Sequence, residues 1–204
     1  MSIGDAEIKT QERVIRFFKD PEILGYQYIG NLSDYQNKNI KEDRLRQYLR
    51  LKGYADKLID AAVMQLQQEA GNLSRGVYDA NKTVYSRLKY GIPVSESPEK
   101  PPVTVELIDE ANPLNNDFAI AEEVTVVEQQ EKRPDLVIYL NGIAVAVIEL
   151  KRSSISVAEG IRQNLTNQKD SFIRGFFTTM QFCMAGNESE GLRYGTLLSG
   201  EKLY

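Results

Sequence analysis

Two hydrophobic periods divide the chain. From Asp5 to about Tyr90 apolar positions recur every three or four residues, the spacing of one helix face, with Gly53 and Gly71 as punctuation. The pattern predicts a first helix capped by Asp5 and running through Lys19, where Pro21 helps to end it. A short helix over 41–50 and longer ones over 55–70 and 78–89 follow. Next comes "GIPVSESPEKPPV", in which Pro93, Pro98, Pro101 and Pro102 exclude a helix and predict an exposed connector. Beyond it the period shortens to two: "VTVELI", "FAIAEEVTVVE" and both halves of "RPDLVIYLNGIAVAVIELK" are rich in β-branched residues and read as strands. Ser156 and Glu159 then match a Ser-x-x-Glu capping box, opening a helix with Val157, Ile161, Leu165 and Phe172 on one face and Gln168 on that same face. "FFTTMQFCMA" and "RYGTLL" read as two last strands.

The strand pair from Arg133 to Lys151 is apolar on both faces, which predicts a sheet covered by helices on both sides, an α/β/α sandwich. The organisation expected is a helical region over 1–90, a Pro-rich connector over 91–102 and a sheet core over 103–204. In that greasy pair stand Asp135 near the start and Glu149 and Lys151 at the end. Alternation points Glu149 and Lys151 to one side, with Val147 and Val145. Charges at the end of a buried strand are costly without partners. Whether Asp135 is such a partner depends on register. A strict two-residue turn at Asn141-Gly142 pairs Leu140 with Ile143 and Asp135 with Ile148, leaving the two carboxylates on opposite faces. A three-residue loop with Gly142 left-handed, or a bulge in either strand, shifts the register by one and brings them together.

Composition narrows the chemistry. The 204 residues include no histidine, which removes Ser-His-Asp and Cys-His nucleophilic sites and nearly every transition-metal site. Cys183 is the single cysteine, so no disulfide framework is expected. Apolar residues make up 42% of the chain, yet no run approaches the ~20 residues of a membrane span, and no secretory signal is visible. A cytoplasmic location is the expectation. The net charge of −4 argues against an autonomous, tight nucleic-acid binder. Carboxylates without His or Cys ligands suit a hard cation, so Asp135, Glu149 and the backbone carbonyl of Leu150 are expected to hold Mg²⁺, with Mn²⁺ able to substitute. Lys151 would then steady an attacking hydroxide or the growing charge on a phosphate. Glu-x-Lys alone carries little, since Glu7-Ile8-Lys9 also fits it on an ordinary helix. Here it ends an apolar strand, follows Pro134-Asp135 and precedes a capped helix.

With Pro134-Asp135 and Glu149-Leu150-Lys151 the chain resembles the PD-(D/E)XK nuclease superfamily. More narrowly it resembles the N-terminal nuclease domain of the R (motor) subunit of type I restriction enzymes, through "LGYQYIGN", "NIKEDRLRQYLRLKGY", "NKTVYSRLKYGI", "NNDFAIAEEVTV" and "GLRYGT" as well. The resemblance implies a restriction-endonuclease-like sandwich with a mixed sheet. It also implies ATP- and Mg²⁺-dependent cleavage of double-stranded DNA in a complex with modification and specificity subunits. Many members carry Gln-x-x-x-Tyr on the helix after the lysine strand; here Gln168, taken as the fourth site residue, is followed by Phe172. ATP would act through motor domains, and "GTLLSGEK" is no phosphate loop because Glu201 stands where the lysine is needed, so the chain reads as a fragment stopping before the motor. Glu7 and Glu12 are candidate accessory acids, and Lys132, Arg133 and Arg152 candidate phosphate contacts. Tyr78, Tyr85 and Tyr90 are expected to pack inward. The competing reading is a catalytically silent docking module of the same complex, but such a module has no need to retain all three charges at a costly strand end.

Overall fold

The Asn141-Gly142 hairpin lies in the middle of a six-stranded sheet. The structure, a computed structural model, describes residues 3–95 and 99–204, with side chains from residue 8 onward. In chain order the elements are α1 (Ile3–Lys19), β1 (Gln27–Asn31), α2 (Glu42–Leu51), α3 (Asp56–Gly71), α4 (Val77–Tyr90), β2 (Ile92–Val94) and β3 (Val103–Val105). There follow β4 (Phe118–Glu122), β5 (Val126–Val127), β6 (Glu131–Lys132), β7 (Leu136–Leu140), β8 (Ile143–Leu150), α5 (Val157–Asn167), β9 (Phe182–Asn187) and β10 (Gly191–Gly195). The sheet order is β1-β4-β7-β8-β9-β10. Its β1–β4 and β8–β9 pairs are parallel and the others antiparallel.

Helices cover both faces, as the two-sided apolar strands require. On one face Ile138, Ala146, Ile148 and Leu150 pack with Ile15, Val14 and Phe18 of α1. On the other, Val137, Tyr139, Ala144 and Val147 meet Phe176 and Phe177 of a 3₁₀ segment and Met180 just after it, while Val157 and Ile161 of α5 rest on Ala185. A further cluster, centred on Leu45, Leu49, Ile59 and Leu66, joins α2, α3 and α4 to β2 and β3. This is a restriction-endonuclease-like α/β architecture with a mixed central sheet.

Three elements depart from the sequence reading. β1 interrupts the stretch expected to be all helical; it is an edge strand of middling burial with Gly30 inside it, so its alternation is blurred. Part of the expected connector is β2, where Ile92 and Val94 are buried and Pro93 faces out of a two-stranded ribbon, a place where its missing N–H is tolerated. Pro98, also assigned to that connector, lies outside the described residues. Finally, residues 174–179 form a 3₁₀ segment instead of the first half of a strand. A short apolar run is ambiguous between the two when it is buried all round.

The hairpin settles the register. Asn141 and Gly142 both adopt positive φ, 52° and 82°, and Leu140 pairs with Ile143, so the loop is the two-residue type. The shift comes from β8: Tyr139 pairs with Ala144 but Ile138 pairs with Ala146, leaving Val145 as a bulge. Its carbonyl accepts the Gln181 N–H at 2.7 Å. Strict alternation assigns Val145 to the Glu149 side, but the bulge turns it toward the α1 and α2–α4 clusters. Leu136 consequently faces Ile148, and one step further Asp135 comes level with Glu149.

Candidate active site

Glu149 is the residue around which the site is organised. It is fully buried, and its Oε2 accepts the Gln163 side-chain N–H at 2.6 Å, while Oε1, equally buried, accepts from no donor. The close approach of α5 has a visible cause: a Cβ at Gly160 would lie 3.0 Å from the Ala185 Cβ and 3.5 Å from the Glu149 Cβ. With glycine there, Gln163 one turn on reaches the carboxylate. Asp135 is tied to the end of β8 by the Leu150 N–H, which donates to its Oδ2 at 2.6 Å. Burial drives the Glu149 pKa well above the usual carboxylate range; the neighbouring Asp135 and Glu123 charges push the same way, and Lys151 pulls back. Lys151 closes the strand end, half-buried, its own N–H donating to Gly186 O at 2.9 Å.

A second tier of polar groups lines the end of β4. The Glu123 N–H donates to Asp135 O at 2.8 Å, extending the β4–β7 ladder by one residue, and Glu123 sits at a positive φ of 51°. Its carboxylate meets Arg133 at 2.8 Å. From α1, Gln11 donates to both Glu122 (2.9 Å) and Glu123 (3.3 Å), and the Tyr28 hydroxyl donates to Glu122.

Asp135, Glu149, Leu150 and Lys151 are thus brought together. Gln168 is not part of the group, and its placement is a correction. α5 ends at Asn167, so Gln168 is the helix C-cap; its Oε1 accepts the Leu198 N–H at 2.8 Å and its amide contacts Cys183 Sγ. The glutamine that faces Glu149 is Gln163, with Asn167 four residues on in the place of a tyrosine. At the start of α5 Ser156 accepts the Ala158 N–H and Glu190 accepts the Val157 N–H, while Glu159 pairs with Arg162. Among the accessory candidates, Glu12 is exposed and its neighbour Gln11 turns inward instead; the Glu7 side chain lies outside the described residues. Arg133 is engaged by Glu123, and Lys132 sits over the Phe172 ring at 4.9 Å. Arg152, half-buried, stands in the turn after β8.

Sequence reasoning missed Gln163, Gln11 and Glu123. Gly160 within an amphipathic helix was a usable signal for close approach. The Glu122-Glu123 doublet ending an apolar strand was another, by the same logic that singled out Glu149. Nothing local marks Gln11.

Every ligating group the site offers is an oxygen. Among the described residues no three His, Cys, Asp or Glu side chains lie close enough to hold a metal. Side-chain ligation would therefore come from Asp135 and Glu149 alone, with the Leu150 carbonyl and water completing the shell, a composition that suits Mg²⁺, which keeps several waters. The buried, unpartnered Oε1 of Glu149 fits such an ion: it is an acceptor whose donor is missing.

A mixed six-stranded sheet, helices on both faces and an acid-and-lysine group at the end of a central strand define a restriction-endonuclease-like α/β domain. The chain belongs to the family described as Type I restriction enzyme R protein N terminus, which it matches over residues 7–202. A protein of Methanocaldococcus jannaschii named as a type I restriction enzyme endonuclease subunit, MjaIXP, is 33% identical over 97 residues, 44% of this chain and 9% of that protein. The matched segment is thus a small part of the relative's length. No helix among the described residues is long and apolar enough to cross a membrane.

Proposed function

We propose that this domain is a PD-(D/E)XK nuclease that hydrolyses phosphodiester bonds of double-stranded DNA with Mg²⁺, or Mn²⁺ in its place. The carrying observation is Glu149: a fully buried carboxylate with one oxygen unpartnered, beside Asp135 and at the foot of Lys151. A strand end built for stability alone has little reason to hold an acid there. When bound, the ion would act as a Lewis acid on the phosphate and lower the pKa of its water. Asp135, Glu149 and the Leu150 carbonyl would hold it. Gln163 fixes the rotamer of Glu149 through the 2.6 Å hydrogen bond, and the Leu150 N–H fixes Asp135. The Lys151 ammonium would stabilise charge developing on the phosphate oxygens. Lys132, Arg133 and Arg152 would meet flanking phosphates. The setting is a type I restriction-modification complex, with modification and specificity subunits as partners and ATP acting through motor domains of the R subunit.

The test is cleavage of plasmid DNA by the assembled multi-subunit enzyme in Mg²⁺, wild type against Lys151→Ala, with ATP hydrolysis followed on the same preparation. Cleavage should fall by orders of magnitude while ATP turnover persists. Undiminished cleavage in the variant would overturn the nuclease reading and leave a docking role.

A further inference from the structure

The outer face of α4 carries an arrangement that packing does not explain. Its inner face, Val77, Ala80, Val84 and Leu88, is buried. On the opposite side Tyr78, Lys82, Tyr85 and Lys89 follow one another at steps of four, three and four residues, forming a single row along the helix. The tyrosines expected to be core are the reverse: Tyr78 is 57% exposed, Tyr85 48% and Tyr90, just beyond the row, 67%. Lys89 Nζ lies 5.3 Å from the centre of the Tyr90 ring. The lysines form no salt bridge among the described residues, and the one acid of α4, Asp79, lies off the row and meets Arg75 at 3.4 Å. The row offers donors and aromatic edges and no carboxylate, on a chain whose net charge is −4.

From Tyr78 to Lys89 the row spans about 16 Å at ~1.5 Å per residue. That is the length of roughly five base pairs at ~3.4 Å each. The row follows a single α-helix, a rigid line that suits the regular backbone of a duplex better than a flexible single strand. Its charge complements phosphate, and lysine is depleted in the protein–protein interfaces that tyrosines otherwise favour.

We infer that the Tyr78–Lys82–Tyr85–Lys89 face of α4 is a sequence-independent contact for the backbone of duplex DNA, separate from the acid-and-lysine group. The inference extends the nuclease reading by giving the duplex a second point of support, and its test is independent of cleavage. Binding of a short fluorescent duplex is measured by anisotropy in EDTA across a series of KCl concentrations, for the 204-residue chain and for two charge-matched variants. Lys82→Gln with Lys89→Gln should weaken binding and lower the slope of log affinity against log salt by about 2, near 0.9 for each phosphate no longer neutralised. Lys57→Gln with Lys202→Gln, exposed lysines elsewhere, removes the same charge and should leave the slope unchanged. Equal weakening in both pairs, no weakening in the first pair, or no salt-dependent binding by the wild type overturns the inference. A face that binds DNA in a protein whose complex does not cleave would instead sink the nuclease reading and leave this one standing. Circular dichroism melts of all variants exclude misfolding, because glutamine is as good a helix former as lysine.

Discussion

Replacing Asn141 should cost a large share of the stability of the hairpin that positions the site. The residue has no exposed surface, stands at φ 52°, and spends its whole side chain on neighbours. Its amide nitrogen donates to Leu107 O and to Asn116 Oδ1, each at 2.8 Å, and its oxygen accepts the Asp117 N–H at 2.7 Å. Asn141→Ala strands a backbone carbonyl and a backbone N–H in the interior, at roughly 1–3 kcal/mol each. It also puts a Cβ without hydrogen-bonding ability into left-handed backbone, at roughly 1–2 kcal/mol. The sum is about 3–8 kcal/mol, a large part of the ~5–15 kcal/mol that holds a domain together. Asn141→Gly loses the same hydrogen bonds but not the left-handed penalty, so it should be the milder variant by about 1 kcal/mol. Urea unfolding followed by circular dichroism gives both values. Losses under about 1 kcal/mol for alanine, or glycine faring worse than alanine, would refute the account of the turn.

Two further outcomes follow from the site. Glu149 titrates in the folded state above its unfolded range, so its contribution to stability is intact below the ordinary carboxylate pKa and is lost as pH rises through the raised value. Denaturation in EDTA at a series of pH values should show this loss in the wild type and not in Glu149→Gln, and Mn²⁺ should restore stability at high pH in the wild type alone; identical pH profiles would contradict it. Gln163→Ala should weaken Mn²⁺ binding by calorimetry, whereas Gln168→Ala should lose about 1 kcal/mol of stability with the Leu198 N–H hydrogen bond and leave Mn²⁺ affinity intact. The reverse pattern would reinstate Gln168 in the site.

Much of the sheet core was legible because its signals are local. Runs of β-branched residues gave β7 and β8, the Asn-Gly pair gave their turn, and apolar residues on both faces gave the covering helices. The convergence of Asp135 with Glu149 was legible as a condition, that one residue be out of step, but not where. The extra residue is Val145, whose carbonyl accepts the Gln181 N–H from 36 positions away, on no pattern with it. Gln11 illustrates the same limit, since it reaches Glu122 from 111 residues away and looks along α1 like any polar helix residue. The misplacement of Gln168 has a different origin. Counting apolar positions to Phe172 prolongs the helix by a turn and carries the inward glutamine with it, although Gly160 already marks where the helix comes closest to the sheet.

The tyrosines of α4 show the converse error. Aromatic residues at helical spacing read as core because aromatics are expensive to expose, yet valine, alanine and leucine at 77, 80, 84 and 88 already complete the inward face. A helix has one buried stripe, and a second apolar row interleaved with lysines cannot share it. The same reasoning applies to Glu149. An apolar strand has no need of an acid in its last buried position, and glutamine would accept the Gln163 hydrogen bond without a charge to desolvate. Both features oppose what folding alone would select, and each lies where the proposed chemistry would use it: an acceptor kept without a donor for a cation, and phenols and ammonium groups kept in water for a polyanion.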